Sequence, residues 1–392
     1  MKPRKIKDNI YWMGSVDWDR RLFDSLIPLP DGTSYNAYLI EGSEKTVLID
    51  TVDPSMVDEL LSQLENVSKL DYVVSLHAEQ DHSGSIPLIL SRYPEAKLIS
   101  SPMAKGLVLE FLHIAEESFI TVSDGEAISL GDKTLKFIYT PWVHWPETMV
   151  AYLEEDKILF SGDFFGSHIA TSNLFVSDEA RVYEAAKRYY AEIMMPFRTI
   201  IKKNLEKLAV LEMAIIAPSH GPVYPRPAFI LDAHKDWIEA PSKNLVVLPY
   251  ISMHNSTKLM VDFFVSSLVE KGVAVEQFNL AVTDTGKLAM ALVDAGTIVI
   301  GTPTVLAGPH PYAVNAAFLT NALRPKARFL SIIGSYGWGG RTVEILSGML
   351  SNLKAEVIEP VLVKGLPSEA DFKALEILAE TIATKHNEAG LI

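Results

Sequence analysis

Four side chains that can bind a metal ion lie close together in one short segment of this sequence. The segment reads His77-Ala78-Glu79-Gln80-Asp81-His82, and it follows an apolar run at 72–76. A buried strand that ends in such a loop can hold a metal ion while leaving coordination positions open. Because Glu79 makes the set richer in oxygen, it favours iron or manganese over zinc.

Three more potential ligands occur singly downstream, each where an apolar stretch ends. They are His144 after 135–139, Asp163 after 158–160 and His220 after 213–217. A lone histidine after a strand is usually structural, and a lone aspartate before a helix is often an N-cap. Four polar groups beside one buried strand need a joint reason, however, and loops on one rim of a scaffold can converge. The combined pattern therefore predicts one metal site built from several loops.

Three loops in the second half of the chain have the composition of a phosphate and ring-binding site. In the first, at 251–257, backbone N–H groups and hydroxyls at a helix start can bind phosphate. The others follow the third and fourth strands, at the edge where a doubly wound sheet binds its ligand. Trp338 can stack on a flat ring, and the glycines beside it permit close approach. We expect contacts from Ser252, Met253, His254, Asn255, Ser256 and Thr257, from Thr302, Pro303, Thr304, Val305 and Leu306, and from Ser335, Tyr336, Gly337, Trp338, Gly339 and Gly340.

Two other interpretations of these loops remain open at this point. A serine-rich turn is often only an N-cap. A receiver-type domain would instead need an acidic pocket, and Asp284 and Asp294 are poorly placed for one.

The elements that would position these residues fall into two parts, 1–240 and 245–392, joined by a short polar linker. The first part mixes strands and helices, whereas the second alternates them strictly, which is typical of a doubly wound parallel sheet. In the first part we expect strands at 38–40, 46–49, 71–76, 97–100, 135–139, 149–153, 158–160 and 213–217, and helices at 54–64, 86–93 and 178–211, the last broken near Pro196. In the second part we expect strands at 245–251, 274–278, 297–300, 328–333 and 356–363, and helices at 257–271, 287–295, 313–323, 342–353 and 370–385.

Composition excludes several classes of protein and of site. The formal net charge is −14, which argues against a nucleic-acid binder. None of the apolar runs reaches the ~18 residues of a membrane span, and no signal-peptide core follows the basic N-terminus, so we expect a cytoplasmic protein. The chain has no cysteine. Disulfides, thiolate zinc sites and cysteine-bound iron–sulfur clusters are therefore excluded, and a metal must bind histidines and carboxylates.

The order H-x-E-x-D-H, followed by His144, Asp163 and His220, resembles the flavodiiron (A-type flavoprotein) branch of the metallo-β-lactamase superfamily. Residues 30–225 are similar to that family, including the stretches Tyr35–Ile40 and 161–165. Zinc hydrolases of the superfamily usually have histidine where Glu79 stands. The resemblance implies an αββα sandwich and two irons. One would be bound by His77, Glu79 and His144, the other by Asp81, His82 and His220, with Asp163 bridging them.

Residues 245–390 resemble a flavodoxin-like domain, which implies a five-stranded parallel sheet and bound FMN. Related phosphate loops often have an aromatic residue and a glycine where this chain has His254 and Asn255. Asparagine can adopt the left-handed conformation that glycine would supply, so the resemblance holds at this loop.

A flavin and two irons together imply an oxidoreductase acting on a diatomic gas. FMN gives two electrons and two ferrous ions give one each, which is what O₂ needs to become two waters. Two NO molecules need only two electrons to become N₂O and water. The electron donor would be a rubredoxin, a reduced deazaflavin or a flavin reductase. Two aromatic side chains are candidates to line the gas pocket, namely Trp145 and one of Tyr189 and Tyr190. Of the two tyrosines we choose Tyr190. The alternative for these residues is ordinary core packing.

Two further histidines of this part have weaker assignments. We expect His168 to orient a metal ligand, and His113 to lie on a helix face with no metal role.

Domains of these lengths have radii of gyration of roughly 18 and 14 Å, which would separate the two sites of one chain by on the order of 30 Å. We therefore expect a head-to-tail homodimer, or a dimer of such dimers, in which the flavin of one subunit serves the irons of the other. Two rival hypotheses are a zinc hydrolase with a fused flavodoxin-like regulatory domain, and a flavin-binding carrier or sensor with a vestigial metal site.

Overall fold

The computed structural model describes residues 2–391, which divide into two compact units. The first unit runs to Tyr190 and resumes over Phe197–Ile238. The second comprises Ala191–Pro196 and the chain from Glu239 onward. Among the described residues there is no helix with the length and hydropathy needed to cross a membrane.

The first unit contains two large β-sheets and several short helices. Its strands are β1 (Arg4–Lys7), β2 (Ile10–Trp12), β3 (Ser15–Asp17), β4 (Leu22–Phe23), β5 (Ile27–Pro28), β6 (Thr33–Tyr35), β7 (Tyr38–Glu41), β8 (Thr46–Ile49), β9 (Tyr72–Val74), β10 (Lys97–Ser100), β11 (Phe119–Thr121), β12 (Ala127–Ser129), β13 (Thr134–Tyr139), β14 (Met149–Leu153), β15 (Ile158–Gly162) and β16 (Ile215–Pro218). Its helices are α1 (Val57–Gln63), α2 (Gln80–Ser83), α3 (Ile86–Arg92), α4 (Pro102–Leu112), α5 (Glu179–Tyr189), α6 (Arg198–Leu208) and α7 (Pro227–Glu239). One sheet has the order β1-β2-β7-β8-β9-β10-β11 and the other β12-β13-β14-β15-β16.

Alternation along the strands explains why the two sheets stack. Ile40 of β7 belongs to a core that also contains Phe137 and Phe160 of the second sheet. The neighbouring Leu39 points to the opposite face, where it packs with Leu60 of α1. Successive side chains of a strand point to opposite faces, so the first sheet is buried on both sides, by the second sheet and by helices. These are the layers of the αββα sandwich that the sequence predicted.

The second unit is a parallel sheet with helices, and its fold class is also confirmed. Its strands are β17 (Leu245–Tyr250), β18 (Ala274–Asn279), β19 (Thr297–Val305), β20 (Gly308–Pro309), β21 (Phe329–Tyr336), β22 (Glu356–Val357) and β23 (Val361–Lys364), and its helices are α8 (Ser256–Glu270), α9 (Thr285–Asp294), α10 (Pro311–Leu323), α11 (Thr342–Met349) and α12 (Glu369–Glu388). The main sheet has the order β18-β17-β19-β21-β22, with β23 beside the end of β21. This is the 2-1-3-4-5 order of flavodoxin-like folds, whose ligand crevice lies at the carboxyl ends of the strands, where the order reverses.

Several boundaries differ from the predicted ones for identifiable reasons. The predicted strand 356–363 is two short strands, because Pro360 between them has no N–H to donate. β19 and β21 extend beyond their predicted ends, since their pairing continues to Pro303 opposite Ser335. The assignment of His113 to a helix face was wrong. It ends α4 in the left-handed conformation, at φ 51°.

Candidate metal centre and flavin pocket

The start of the loop after β9 is held in place by one side-chain and one backbone hydrogen bond. The buried carboxylate of Asp50 accepts a hydrogen bond of 2.8 Å from Leu76 N, and Leu76 O accepts one of 2.9 Å from Met149 N. Immediately afterwards the chain forms the short helix α2, which carries Asp81 and His82 on a single turn. The predicted ligand segment is therefore a strand end joined to a helical turn.

All seven side chains predicted as ligands converge, and Asp163 lies between two sets of histidines. Its Oδ2 is 3.3 Å from His77 Nε2 and 3.2 Å from His144 Nε2. Its Oδ1 is 3.2 Å from His82 Nε2 and 3.6 Å from His220 Nε2. Each oxygen of this carboxylate thus faces a different pair of imidazoles.

Each histidine pair also has a carboxylate of its own. Glu79 Oε2 lies 2.9 Å from His144 Nε2 and 3.7 Å from His77 Nε2. Asp81 Oδ2 lies 3.0 Å from His82 Nε2 and 3.2 Å from His220 Nε2. We call His77, Glu79 and His144 the His77 group, and Asp81, His82 and His220 the His82 group. Both groups offer two nitrogens and one oxygen beside the shared Asp163.

The electrostatics of this cluster call for a cation. Burial alone would lower the pKa of His77, but the carboxylates of Asp163 and Glu79 outweigh it and raise that pKa well above its ordinary value. Nearby carboxylates likewise outweigh burial at two other histidines, and the pKa of His82 is raised to about 10 and that of His144 to about 9. Without a metal, protons must balance the three carboxylates, and metal ions would replace those protons. Several of these buried atoms, including Asp81 Oδ1 and His77 Nε2, lack a hydrogen-bond partner among the described residues, as metal ligands would.

A cavity of about 210 Å³ lies in the second unit, at the carboxyl ends of its strands. Hydroxyl groups from the start of α8 and the end of β21 meet there, since Thr257 Oγ1 and Ser335 Oγ are 2.9 Å apart. Asn255, which precedes α8, has φ 68° and ψ −18°, the left-handed conformation that the sequence predicted. The lining residues are Ser252, Met253, His254, Ser256, Thr257, Pro303, Thr304, Ser335, Tyr336, Gly337 and Gly365.

Comparison with known proteins places this arrangement in a family. A family model described as "ODP family beta lactamase" matches residues 33–221. The chain is 36% identical to the nitric oxide reductase of Moorella thermoacetica, over 98% of this chain and 99% of that protein. It is 32% identical to the rubredoxin-oxygen oxidoreductase of Megalodesulfovibrio gigas, over 98% of each. The chain belongs to the flavodiiron protein family.

Solved structures agree with this assignment over the whole chain. The rubredoxin oxygen:oxidoreductase from Desulfovibrio gigas superposes with a TM-score of 0.95 at 31% identity, over 99% of both chains. The flavodiiron protein from Giardia intestinalis superposes with a TM-score of 0.92 at 25% identity, over 98% of this chain and 96% of that one.

In this flavodiiron protein the two adjacent tyrosines face different surroundings. The ring of Tyr189 lies 5.8 Å from that of His220, and its hydroxyl interacts with the Asp163 carboxylate. The ring of Tyr190 instead packs against His234 and Trp237, at 5.9 and 5.4 Å. Neighbouring residues at a helix end point in different directions, and here Tyr189 faces the cluster. Tyr190 was therefore the wrong choice of the two.

The other predicted neighbours of the metal centre have mixed outcomes. Trp145 is half-buried, with its ring 6.5 Å from that of His144, and it also packs against the core of the first sheet. His168 packs its ring 4.7 Å from that of His220. Its Nδ1 lies 2.9 Å from Thr33 Oγ1, and burial lowers its pKa well below the usual value. His168 thus supports the position of His220 through packing, and its role in orienting a ligand stays a prediction.

Seven residues predicted for the flavin loops do not line the cavity. Trp338 is 79% exposed and Leu306 89% exposed, so both lie on the surface of this unit. Thr302 is fully buried, and its hydroxyl donates to Pro303 O. The remaining residues outside the lining are Asn255, Val305, Gly339 and Gly340. Gly365 was missed, although its position directly after the fifth strand was the signal that could have identified it.

Proposed function

We propose that this chain is an oxidoreductase that reduces O₂ to water, NO to N₂O, or both, at a diiron centre that receives electrons from FMN. The observation that carries the proposal is the placement of Asp163, with one carboxylate oxygen facing each histidine pair. That arrangement suits two metal ions sharing one ligand. The rival zinc hydrolase could also hold two metal ions, but Glu79 makes the ligand set richer in oxygen than zinc favours, and the cavity in the second unit would remain unexplained.

The ligand assignment follows the two groups. The His77 group would bind one iron and the His82 group the other, with Asp163 bridging both. Six of the seven residues are at most 9% exposed, so the ions would be shielded from bulk water. His220 Nδ1 donates a hydrogen bond of 2.8 Å to Ser34 O, which leaves its Nε2 free for metal binding.

We propose residues 1–240 as the diiron-binding domain and 245–392 as the FMN-binding domain. Bound FMN would supply two-electron chemistry towards a donor, and bound iron would supply one-electron chemistry towards the gas. The loop before α8 would hold the FMN phosphate, because Ser256 and Thr257 offer N–H groups and hydroxyls at a helix N-terminus. Tyr336 and Gly337 lie at the end of β21, where they would border the flavin ring. In the metal domain, Tyr189 would place a phenol beside the bridging carboxylate.

Relatives indicate the range of substrates and donors. Their names include a nitric oxide reductase, a rubredoxin-oxygen oxidoreductase and a coenzyme F420H2 oxidase. We therefore propose O₂ and NO as the substrates. The donor would be a rubredoxin, a reduced deazaflavin or a flavin reductase. The reaction would take place in the cytoplasm. The 392 residues include no cysteine, so none of them could form a rubredoxin-type iron site.

Anaerobically prepared protein provides the direct test of the function. We expect iron and FMN to copurify, and a chemical reductant to drive the consumption of O₂, of NO, or of both when each is supplied alone. Protein loaded with FMN and iron that consumed neither gas would overturn the proposal. Zinc in a colourless preparation would instead favour the fused hydrolase.

Asn255 provides a separate test of the flavin loop. Replacing it by valine places a β-branched residue in the left-handed conformation, which costs about 1–2 kcal/mol. Since FMN binding would have to restore the loop, we expect roughly tenfold weaker FMN binding, measured by flavin fluorescence during titration of apoprotein. Asn255→Gly is the matched control and should bind FMN as tightly as the unmodified chain. Equal affinities for all three proteins would contradict the proposed role of this loop.

A further inference from the structure

The His77 group is supported by one buried side chain that the proposed chemistry does not use. Glu147 is 4% exposed, and its Oε1 accepts a hydrogen bond of 2.9 Å from Ala78 N. Ala78 lies between His77 and Glu79 in the chain, and Glu147 follows His144 by three residues. One carboxylate therefore joins the two loops that carry every member of the His77 group.

The same residue also connects these loops to the framework of the first unit. Its backbone carbonyl accepts a hydrogen bond of 3.1 Å from Ser101 Oγ, at the start of α4. Its second carboxylate oxygen, Oε2, is buried without a hydrogen-bond partner among the described residues. An unsatisfied buried oxygen lowers stability, so general stabilisation does not account for a glutamate at this position.

The His82 group is supported by a different side chain. Asn36 is 1% exposed, and its Nδ2 donates hydrogen bonds of 2.7 Å to both Pro218 O and Gly221 O, on either side of His220. Its backbone N–H donates to Ser219 O at 2.8 Å, and its Oδ1 accepts from Trp12 Nε1 at 2.8 Å. Asn36 therefore fixes the turn that presents His220.

We propose that Glu147 and Asn36 are positioning residues for one iron each, so that each half of the centre has its own support. This inference rests on the proposed diiron function and deepens it. The side-chain hydrogen bond of Glu147 is to Ala78, which lies between His77 and Glu79, whereas those of Asn36 are to the two residues that flank the turn carrying His220. Removing groups that orient metal ligands typically weakens metal binding by about 10- to 100-fold. Such a loss should therefore affect one metal and spare the other.

Co²⁺ titration of the metal-free full-length chain tests the proposal, because cobalt reports each binding event by its visible absorption. The unmodified chain should bind two Co²⁺ ions tightly. Glu147→Ala and Asn36→Ala should each weaken one of the two binding events by about 10- to 100-fold. The double variant should weaken both. If it kept one tight site, the two residues would support the same metal and the proposal would fail.

Two conservative variants separate positioning from loss of fold. Glu147→Gln keeps an oxygen that can accept from Ala78 N, so it should retain both tight sites. Cobalt binding by Glu147→Gln as weak as that of Glu147→Ala would contradict the role of this hydrogen bond. Tyr38→Phe removes one hydrogen bond of 2.6 Å to Pro218 O, at the same turn as Asn36. Tyr38→Phe should weaken one site mildly. It takes the place of Asn36→Ala in the titration if that variant is too unstable.

The thermal unfolding midpoint and FMN content of each variant provide the remaining controls. If Glu147→Ala bound both Co²⁺ ions more weakly by the same factor and also unfolded at a lower temperature than the unmodified chain, the substitution would cause general destabilisation. That result would overturn the inference. If the unmodified chain bound two Co²⁺ ions but reduced neither gas when loaded with iron and FMN, that result would refute the proposed function and leave the roles of Glu147 and Asn36 intact. The two failures are therefore distinguishable.

Discussion

Replacing Glu79 by histidine should shift the metal preference of the centre from iron towards zinc and abolish gas reduction. Glu79 is the carboxylate of the His77 group, 2.9 Å from His144 Nε2. An imidazole in its place would give that group three nitrogens, a set that suits zinc well, whereas carboxylates suit harder ions. Because zinc has no redox chemistry, a zinc-loaded centre could not pass electrons to O₂ or NO.

Metal analysis after growth with both metals available would measure this shift. The expected result is a rise in the zinc-to-iron ratio and loss of O₂ and NO consumption, with FMN content unchanged. Glu79→Asp is the matched control, since it keeps an oxygen ligand on a shorter side chain and should still prefer iron. If Glu79→His kept two irons and reduced either gas at the original rate, Glu79 would not set the identity of the metal.

Mixed dimers of two inactive variants should recover activity if electrons cross between subunits. Asp163→Ala removes the shared ligand, and Ser256→Glu places a negative charge in the proposed phosphate site. The new glutamate should not harm α8, because acidic side chains are favourable at helix N-termini. Each variant alone should be inactive. Random assortment after coexpression would give half mixed dimers, each with one intact flavin–iron pair, and hence roughly a quarter of full activity.

A second arrangement, with both substitutions on the same chain, provides the control for this experiment. When both substitutions are on one chain and the partner is unmodified, a mixed dimer has no intact pair between subunits. The activity of this mixture of dimers should therefore come only from the unmodified homodimers. The unmodified homodimers alone would give roughly a quarter of full activity, so roughly half in this second arrangement, with none in the first, would show that electrons move within one chain and would contradict the head-to-tail expectation.

The metal site was largely predictable because its signals are local. Each ligand lies where an apolar stretch ends, and strand ends on one side of a scaffold converge, so the residues predicted one shared metal site. The division of the ligands between two irons came only from the resemblance to the flavodiiron family. Fold class followed from the regular alternation of strands and helices after residue 245. The left-handed conformation of Asn255 agrees with its residue type and with the glycine that related loops often have at this position.

The features that sequence reasoning missed depend on tertiary contacts or on very short elements. Strands of two to four residues, such as β4 and β5, are too short to show periodicity. Whether Tyr189 or Tyr190 faces the metals depends on how α5 packs, and the exposure of Trp338 depends on where β21 ends. Helix α4 could have been identified, because Ser101 is its N-cap and Pro102 its first residue.

The distribution of the ligands along the chain sets the order in which the protein can mature during synthesis. The proposed metal ligands extend from His77 to His220, whereas the proposed flavin cavity begins only at Ser252. Domains generally fold as units as they leave the ribosome, the N-terminal one first. Iron could therefore bind while the second domain is still being translated, although the His82 group is complete only after His220 has emerged. A nascent chain stalled upstream of His220 would lack a ligand of the His82 group, and one stalled just before Leu245 could hold iron but not flavin.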